Sequence, residues 1–344
     1  MKKILFLTIG DMSVASSRSR VYSYLPYLNR YGFRVFILHY TSSWYCRKIS
    51  NLERAGFIEK IINRLYSAII ILCLCVCVPF FDIIYVQKVA LAKFTIAVLK
   101  TLNPNIIFDF DDAIFIYQDI KYILKNSKCV VVSNKYLKEF AFVYNKNVYE
   151  LVTSVEMDAQ VFKRNGGKII LGWLGSPDTS KYLTQLNPVL KNLKEKFPNL
   201  NIEFMGIDKS MHFEPLLDIK MLEWSLENEK KYLKRIHIGI MPLVDDEWSK
   251  AKCGYKLLQY MSMGIPCIAS PVGINKEIIS DGLNGFLANT PNEWIEKLSL
   301  LIKDESLRHK FGQEGASLVE KVYTYEANIS KLIDDKVPFV KISA

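Results

Sequence analysis

Short apolar runs alternate with amphipathic segments in two successive series, and this pattern restricts the chain more than any other feature. The first series has apolar runs at Ile4–Ile9, Val35–His39, Ile83–Val86, Ile106–Phe110 and Cys129–Val132. Strands read this way when helices cover a parallel sheet from both sides. Between them, Arg20–Tyr31 and Leu91–Leu102 space their apolar residues as helices do. A second series places strands at Ile169–Leu174, Asn201–Met205, Ile236–Met241, Pro266–Ala269 and Gly285–Leu287. Its helices are expected at Lys181–Lys196, Glu227–Lys234, Tyr255–Met263, Asn292–Ile302 and Glu305–Val322. Such alternation predicts doubly wound α/β units. The chain has 344 residues, more than one hydrophobic core usually serves, so two domains are expected. The pattern breaks at Asn165-Gly166-Gly167-Lys168, which divides an N-terminal Rossmann-like domain, 1–164, from a C-terminal one, 168–325. A tail, 326–344, is expected to pack back on the N-terminal domain. Ligands of such sheets bind in the crevice at the carboxyl ends of the strands, so a site facing both domains is predicted.

Seven cysteines, an odd number with no C-x-x-C pair, fit reduced buried thiols in the cytoplasm better than a disulfide framework. The apolar N-terminus is interrupted at Gly10-Asp11, too early for a signal peptide, and reads as a first strand. The net charge of +10 is uneven: residues 1–160 hold 20 Lys/Arg against 12 Asp/Glu, and the remainder 25 against 23. A basic first half attracts phosphates, on an anionic lipid or on a diphosphate-linked substrate. A nucleic-acid partner is not expected, because the excess is diffuse and no nucleic-acid motif accompanies it.

Ser67–Phe81 is apolar throughout and ends at Asp82. It falls short of the roughly 20 residues of a membrane-spanning helix. The first reading is a buried helix leading into the strand at Ile83. The second is a helix that dips an apolar face into a membrane interface, with Arg47, Lys48, Arg54, Lys60 and Arg64 as lipid-facing charge.

The densest chemistry lies in 238–287. A strand ends at Met241-Pro242-Leu243, a polar loop follows, and Cys253-Gly254 opens a helix near Tyr255. Amides at a helix start form an anion site, and Gly254 permits close approach. Lys252 and Lys256 bracket that start, which suits a diphosphate.

The segments K-C-G-Y-K-L-L-Q-Y-M, G-I-P-C-I-A-S-P-V-G and D-G-L-N-G-F-L resemble the donor-binding half of retaining glycosyltransferases of family 4. G-W-L-G-S-P-D-T at 172–179 and D-E-S-L-R-H-K-F-G-Q-E-G at 304–315 are similar too. In the N-terminal half the resemblance rests on S-S-R-S-R-V-Y-S-Y-L-P-Y-L at 16–28 and F-D-F-D-D-A-I at 108–114. The resemblance implies the GT-B fold, two Rossmann-like doubly wound domains facing across a cleft. It further implies a nucleotide-sugar donor, transfer with retention, no metal and no other cofactor, and a surface-polysaccharide type of acceptor. That acceptor would be a glycan or lipid-linked glycan, and the protein cytoplasmic, at most peripheral on the inner leaflet. Members often carry two glutamates eight positions apart around this helix start; here Ala251 and Gln259 stand there. Gln259 still both donates and accepts toward a ribose, whereas Ala251 cannot replace a carboxylate.

The donor would be held by Gly175, Ser176, Thr179, Trp224, Lys252, Cys253, Gly254, Tyr255, Lys256 and Gln259. Gly175 admits the donor to the end of its strand, Ser176 and Thr179 offer hydroxyls, and Trp224 falls where such folds hold the base. Gly10, Arg18 and Arg20 follow the first strand and could meet acceptor or donor phosphate. Asp109, Asp111 and Asp112 end a buried strand, where three carboxylates are costly unless paired or functional. Asp111 or Asp112 is expected to orient or deprotonate the acceptor hydroxyl. Two alternatives stand beside a transferase: a sugar-nucleotide epimerase on the same scaffold, which needs no acceptor, and a non-catalytic partner subunit, which binds nucleotide without turnover.

Overall fold

The computed structural model describes residues 1–50, 55–158 and 168–333. It contains two six-stranded sheets, parallel throughout. The chain divides into two compact units. Among the described residues, the first comprises Met1–Ser154, Ala251–Cys253 and Tyr325–Ile333; the second comprises Val155–Lys250 and Gly254–Thr324. The expected break at 165–168 falls largely in 159–167, outside the described residues.

In the first unit the strands are β1 Lys3–Thr8, β2 Arg34–His39, β3 Ile83–Gln87, β4 Ile106–Phe110, β5 Cys129–Val132 and β6 Val148–Glu150. Their spatial order is β2-β1-β3-β4-β5-β6, so the winding direction reverses between β1 and β3. The inner strands β3, β4 and β5 are buried at every position. Helix Tyr325–Ile333 joins this core: the Tyr325 ring meets Tyr24 edge-on at 4.8 Å, and Ile329 and Leu332 are buried in the same cluster.

The second unit holds β7 Ile170–Leu174, β8 Asn201–Met205, β9 Ile219–Leu222, β10 Ile238–Met241, β11 Cys267–Ala269 and β12 Phe286–Leu287. The order β12-β11-β10-β7-β8-β9 puts the reversal between β7 and β10. That is the strand order of dinucleotide-binding sheets, whose ligands lie beyond the carboxyl ends of the strands at the reversal.

The sequence reading missed β6 and β9. Both lie at a sheet edge, where burial is partial and the apolar run is diluted by Tyr149-Glu150 or Lys220. The buried-helix reading of Ser67–Phe81 is overturned. A helix runs from Phe57 to Cys77, and only 17% of its most apolar stretch is buried. The expectation of buried thiols holds for Cys46, Cys129 and Cys267, whereas Cys73 on this helix is exposed. Burial pushes the Cys129 and Cys267 thiols up to about 12 and that of Cys46 to about 11. Arg54 lies outside the described residues.

Candidate functional site

The reversal in the second sheet gathers most of the residues expected to hold a donor. Gly175 follows β7, and its neighbours leave no room for a side chain. A Cβ there would sit 2.3 Å from the Trp173 ring and 2.7 Å from Cε of Lys256. Gly206, after β8, adopts φ +77°, and a Cβ on it would come within 2.1 Å of the Gly175 carbonyl oxygen. Two backbone turns therefore close on one another at the crevice, which only glycine allows.

Ser176 stands before the short helix Pro177–Ser180, and the Thr179 hydroxyl donates to its carbonyl at 2.9 Å. The helix Tyr255–Ser262 begins at Gly254, in the left-handed region at φ +72°, with no side chain capping it. Helix amides of a first turn point out of the N-terminal end and favour an anion there. Lys256 reaches back across this end. Its ammonium donates to Thr179 Oγ1 at 3.1 Å and lies 4.9 Å from the centre of the Trp173 ring. The structure thus joins Gly175, Ser176, Thr179, Gly254, Tyr255 and Lys256 at one sheet end.

Gln259, one helical turn further, donates from its amide to Glu229 at 2.7 Å. The other oxygen of Glu229 accepts from the Trp224 indole at 2.6 Å. Glu229 was not foreseen. It sits on helix Leu226–Leu233 among the charges L-E-N-E-K-K-Y-L, where nothing in the pattern sets one glutamate apart. It supplies a carboxylate beside Gln259, which itself stands where the resemblance places a glutamate. Ala251 is fully buried.

The first unit has its own polar cluster, built from residues that directly follow three neighbouring strands. Lys88 follows β3, Asp111 and Asp112 follow β4, and Ser133 and Asn134 follow β5. The Lys88 ammonium lies 3.3 Å from Asp111 and 3.2 Å from Asp112. Lys252, which groups with this unit, lies 3.1 Å from Asp112. Asn134 caps helix Lys135–Phe142 and donates to the Ala251 and Lys252 carbonyls at 3.0 and 3.1 Å. Cys253 is half-buried beside them in sequence.

Burial opposes the charge of Asp112, but Lys88 and Lys252 outweigh it and hold this carboxyl below its usual range. Burial likewise opposes the charge of Lys88, and Asp111 and Asp112 outweigh it and raise its pKa. A carboxylate held so firmly takes up a proton poorly. Asp112 is a counter-ion to two lysines, which suits it to orienting groups, one of the two roles expected of Asp111 or Asp112. Lys252, expected to hold a donor, is engaged by Asp112 in this structure.

The expectation for Arg20 is corrected. Rather than facing a phosphate, it is 1% exposed, and its guanidinium grips Asp109, with the shortest contact at 2.7 Å. Its remaining nitrogen donates to the Leu151 carbonyl at 2.5 Å. The helix Ala15–Arg20 turns this end inward, because a buried Asp109 needs a charged partner. Arg18 is 8% exposed and donates to the Met12 carbonyl at 3.0 Å. Gly10 packs inward as well: a Cβ would lie 2.6 Å from both Cys46 Sγ and a Val14 methyl.

A parallel sheet in this strand order, with glycine turns and a lysine over a helix start at its reversal, is an α/β arrangement of the kind that binds nucleotides. Residues 154–318, just under half of the chain, match the family model described as glycosyl transferases group 1. Among solved structures, the chain is similar to a glycosyltransferase from Rickettsia africae, with TM-score 0.72 and 14% identity over 99% of each chain. It is also similar to Anabaena HepE, crystallised in complex with UDP, with TM-score 0.70 and 11% identity over 96% of this chain and 98% of that one. The likeness is one of fold, and the fold is GT-B. A curated relative, an uncharacterized glycosyltransferase of Methanocaldococcus jannaschii, is 40% identical over 70 residues, 20% of each chain. The chain thus spans about a fifth of the length of the curated relative it matches.

Proposed function

We propose that the chain is a glycosyltransferase that moves a sugar from a nucleoside diphosphate to a hydroxyl of a glycan or lipid-linked acceptor, with retention. The observation that carries this reading is the set at the β7/β10 reversal, in which Lys256 and the start of its helix meet two glycine turns. When the bond from sugar to diphosphate breaks, its electrons go to the phosphate oxygen. A fixed ammonium and aligned amides stabilise that charge best where water is excluded. Gly175, Ser176 and Thr179 would pass the diphosphate along the strand end, with Cys253, Gly254 and Tyr255 offering backbone. The Gln259–Glu229 pair would take the ribose hydroxyls, and Trp224, tied to the same carboxylate, would border the base. Asp111 and Asp112, held with Lys88 and Lys252, would orient the acceptor. The UDP bound by HepE supports uridine diphosphate as the first nucleotide to try.

Thermal unfolding with UDP, GDP and other nucleoside diphosphates tests the donor site, because a ligand of the native state raises apparent stability. No shift with any of them removes the reading. A second reading, a nucleotide-binding subunit without turnover, is favoured by Ala251, buried where the resemblance places a carboxylate. It predicts the same shift and no sugar transferred to any acceptor. An epimerase would convert the free nucleotide sugar with no acceptor present.

A further inference from the structure

The helix Phe57–Cys77, continued by the turn Val78–Phe80, is inside out for the surface of a protein in water. Its inward face carries polar groups hydrogen-bonded to the rest of the protein. The Ser67 hydroxyl donates to the Tyr40 carbonyl at 2.8 Å, and Asn63 Oδ1 accepts from the Ser42 backbone at 3.1 Å and from its hydroxyl at 3.2 Å. Leu74 and Val78 are fully buried on this same side.

The outward face carries Ile58, Ile62, Leu65, Ile69, Leu72 and Val76, three or four residues apart and therefore in one row. They are 70, 53, 61, 60, 66 and 63% exposed. Ordinary amphipathic helices put such a row against the core. The row extends about 27 Å at about 1.5 Å per residue.

Charge supports one occupant. Lys60 and Arg64 are exposed and flank the row at its N-terminal half, and no charged side chain follows until Asp82. Glu59, the helix's one acid, is bound to Lys48 at 2.5 Å. The surrounding half of the chain holds most of the net positive charge, 20 Lys/Arg against 12 Asp/Glu in residues 1–160.

We propose that this face lies in the interfacial layer of an anionic lipid bilayer, the helix axis parallel to the membrane plane. An apolar row with cations at its flank is the pattern of helices that lie on membranes. The hydrogen bonds of Ser67 and Asn63 and the burial of Leu74 and Val78 hold the inward face to the protein, so the helix lies on the membrane rather than crossing it. This inference stands independently of the donor site.

The test is co-sedimentation of the full chain with vesicles of phosphatidylcholine alone or mixed with phosphatidylglycerol. Wild type is expected to pellet with the mixed vesicles. Leu65→Glu/Ile69→Glu/Leu72→Glu should reduce the bound fraction about tenfold or more, since each charge must enter the apolar layer. Equal circular dichroism and unfolding temperature show that the variant is folded, as expected for exposed positions. Lys60→Ser/Arg64→Ser, which keeps the apolar row, should lose binding to the mixed vesicles in a salt-sensitive way. The proposal fails if wild type stays in the supernatant or if the glutamate variant pellets equally. It also fails if sedimentation velocity shows a dimer that the glutamate variant dissolves while neither protein binds vesicles. Resistance to alkaline carbonate extraction would establish a spanning helix and overturn the surface placement.

Discussion

Replacing Lys256 with methionine removes one ammonium from the end of helix Tyr255–Ser262 and keeps an unbranched stem against Trp173. The ammonium lies 3.1 Å from Thr179 Oγ1 and 4.9 Å from the indole centre, so it is already placed before a ligand arrives. A hydrogen bond to a charged group contributes about 1.5–3 kcal/mol. Two unit charges 4 Å apart near a protein surface attract by about 4 kcal/mol, part of which is cancelled by lost hydration. A net loss of about 2–3 kcal/mol weakens nucleoside diphosphate binding about 30- to 150-fold. In the unliganded protein the hydrogen bond to Thr179 and the contact with the ring are lost, worth about 1 kcal/mol each, so the unfolding temperature should fall by only a few degrees. Isothermal titration calorimetry with UDP, repeated at two salt concentrations, reads the effect. A folded Lys256→Met protein that binds UDP within about twofold of wild type would place the diphosphate elsewhere and refute the reasoning.

Glu229→Ala should weaken UDP binding about tenfold through loss of a charged hydrogen bond, while leaving inhibition by inorganic pyrophosphate unchanged in a competition assay. Arg20→Ala strands Asp109 in the core, and chemical denaturation should show a loss of about 3–5 kcal/mol. Asp112 is held below its ordinary range by Lys88 and Lys252 against the opposing effect of burial. Its stabilising contribution is therefore present above the unfolded value of about 3.9 and is lost as pH falls through the lower folded value. Asp112→Asn should flatten that acid limb of the stability profile, measured by unfolding temperature from neutral pH downward.

Much of the fold was readable from hydropathy alone, because strands buried on both faces, such as β3, β4 and β5, leave uninterrupted apolar runs. Glycines were readable for a local reason: Gly254 opens its helix in a left-handed conformation that other residues resist. Side-chain direction was not readable in this way. Arg20 and Lys256 look equally apt for phosphate in the sequence, yet one is sealed against Asp109 and the other stands at a sheet end. Glu229 meets Gln259 only because the fold brings together helices thirty residues apart.

The helix from Phe57 shows the division most plainly. Composition established that the segment is apolar and helical, for these depend on neighbouring residues. Which side of it faces outward depends on partners distant in the chain, Tyr40 and Ser42 among them, which take its polar groups inward. Local sequence determined the elements and their order; the packing of remote segments decided which side chains are held inside and which remain to meet a ligand or a membrane.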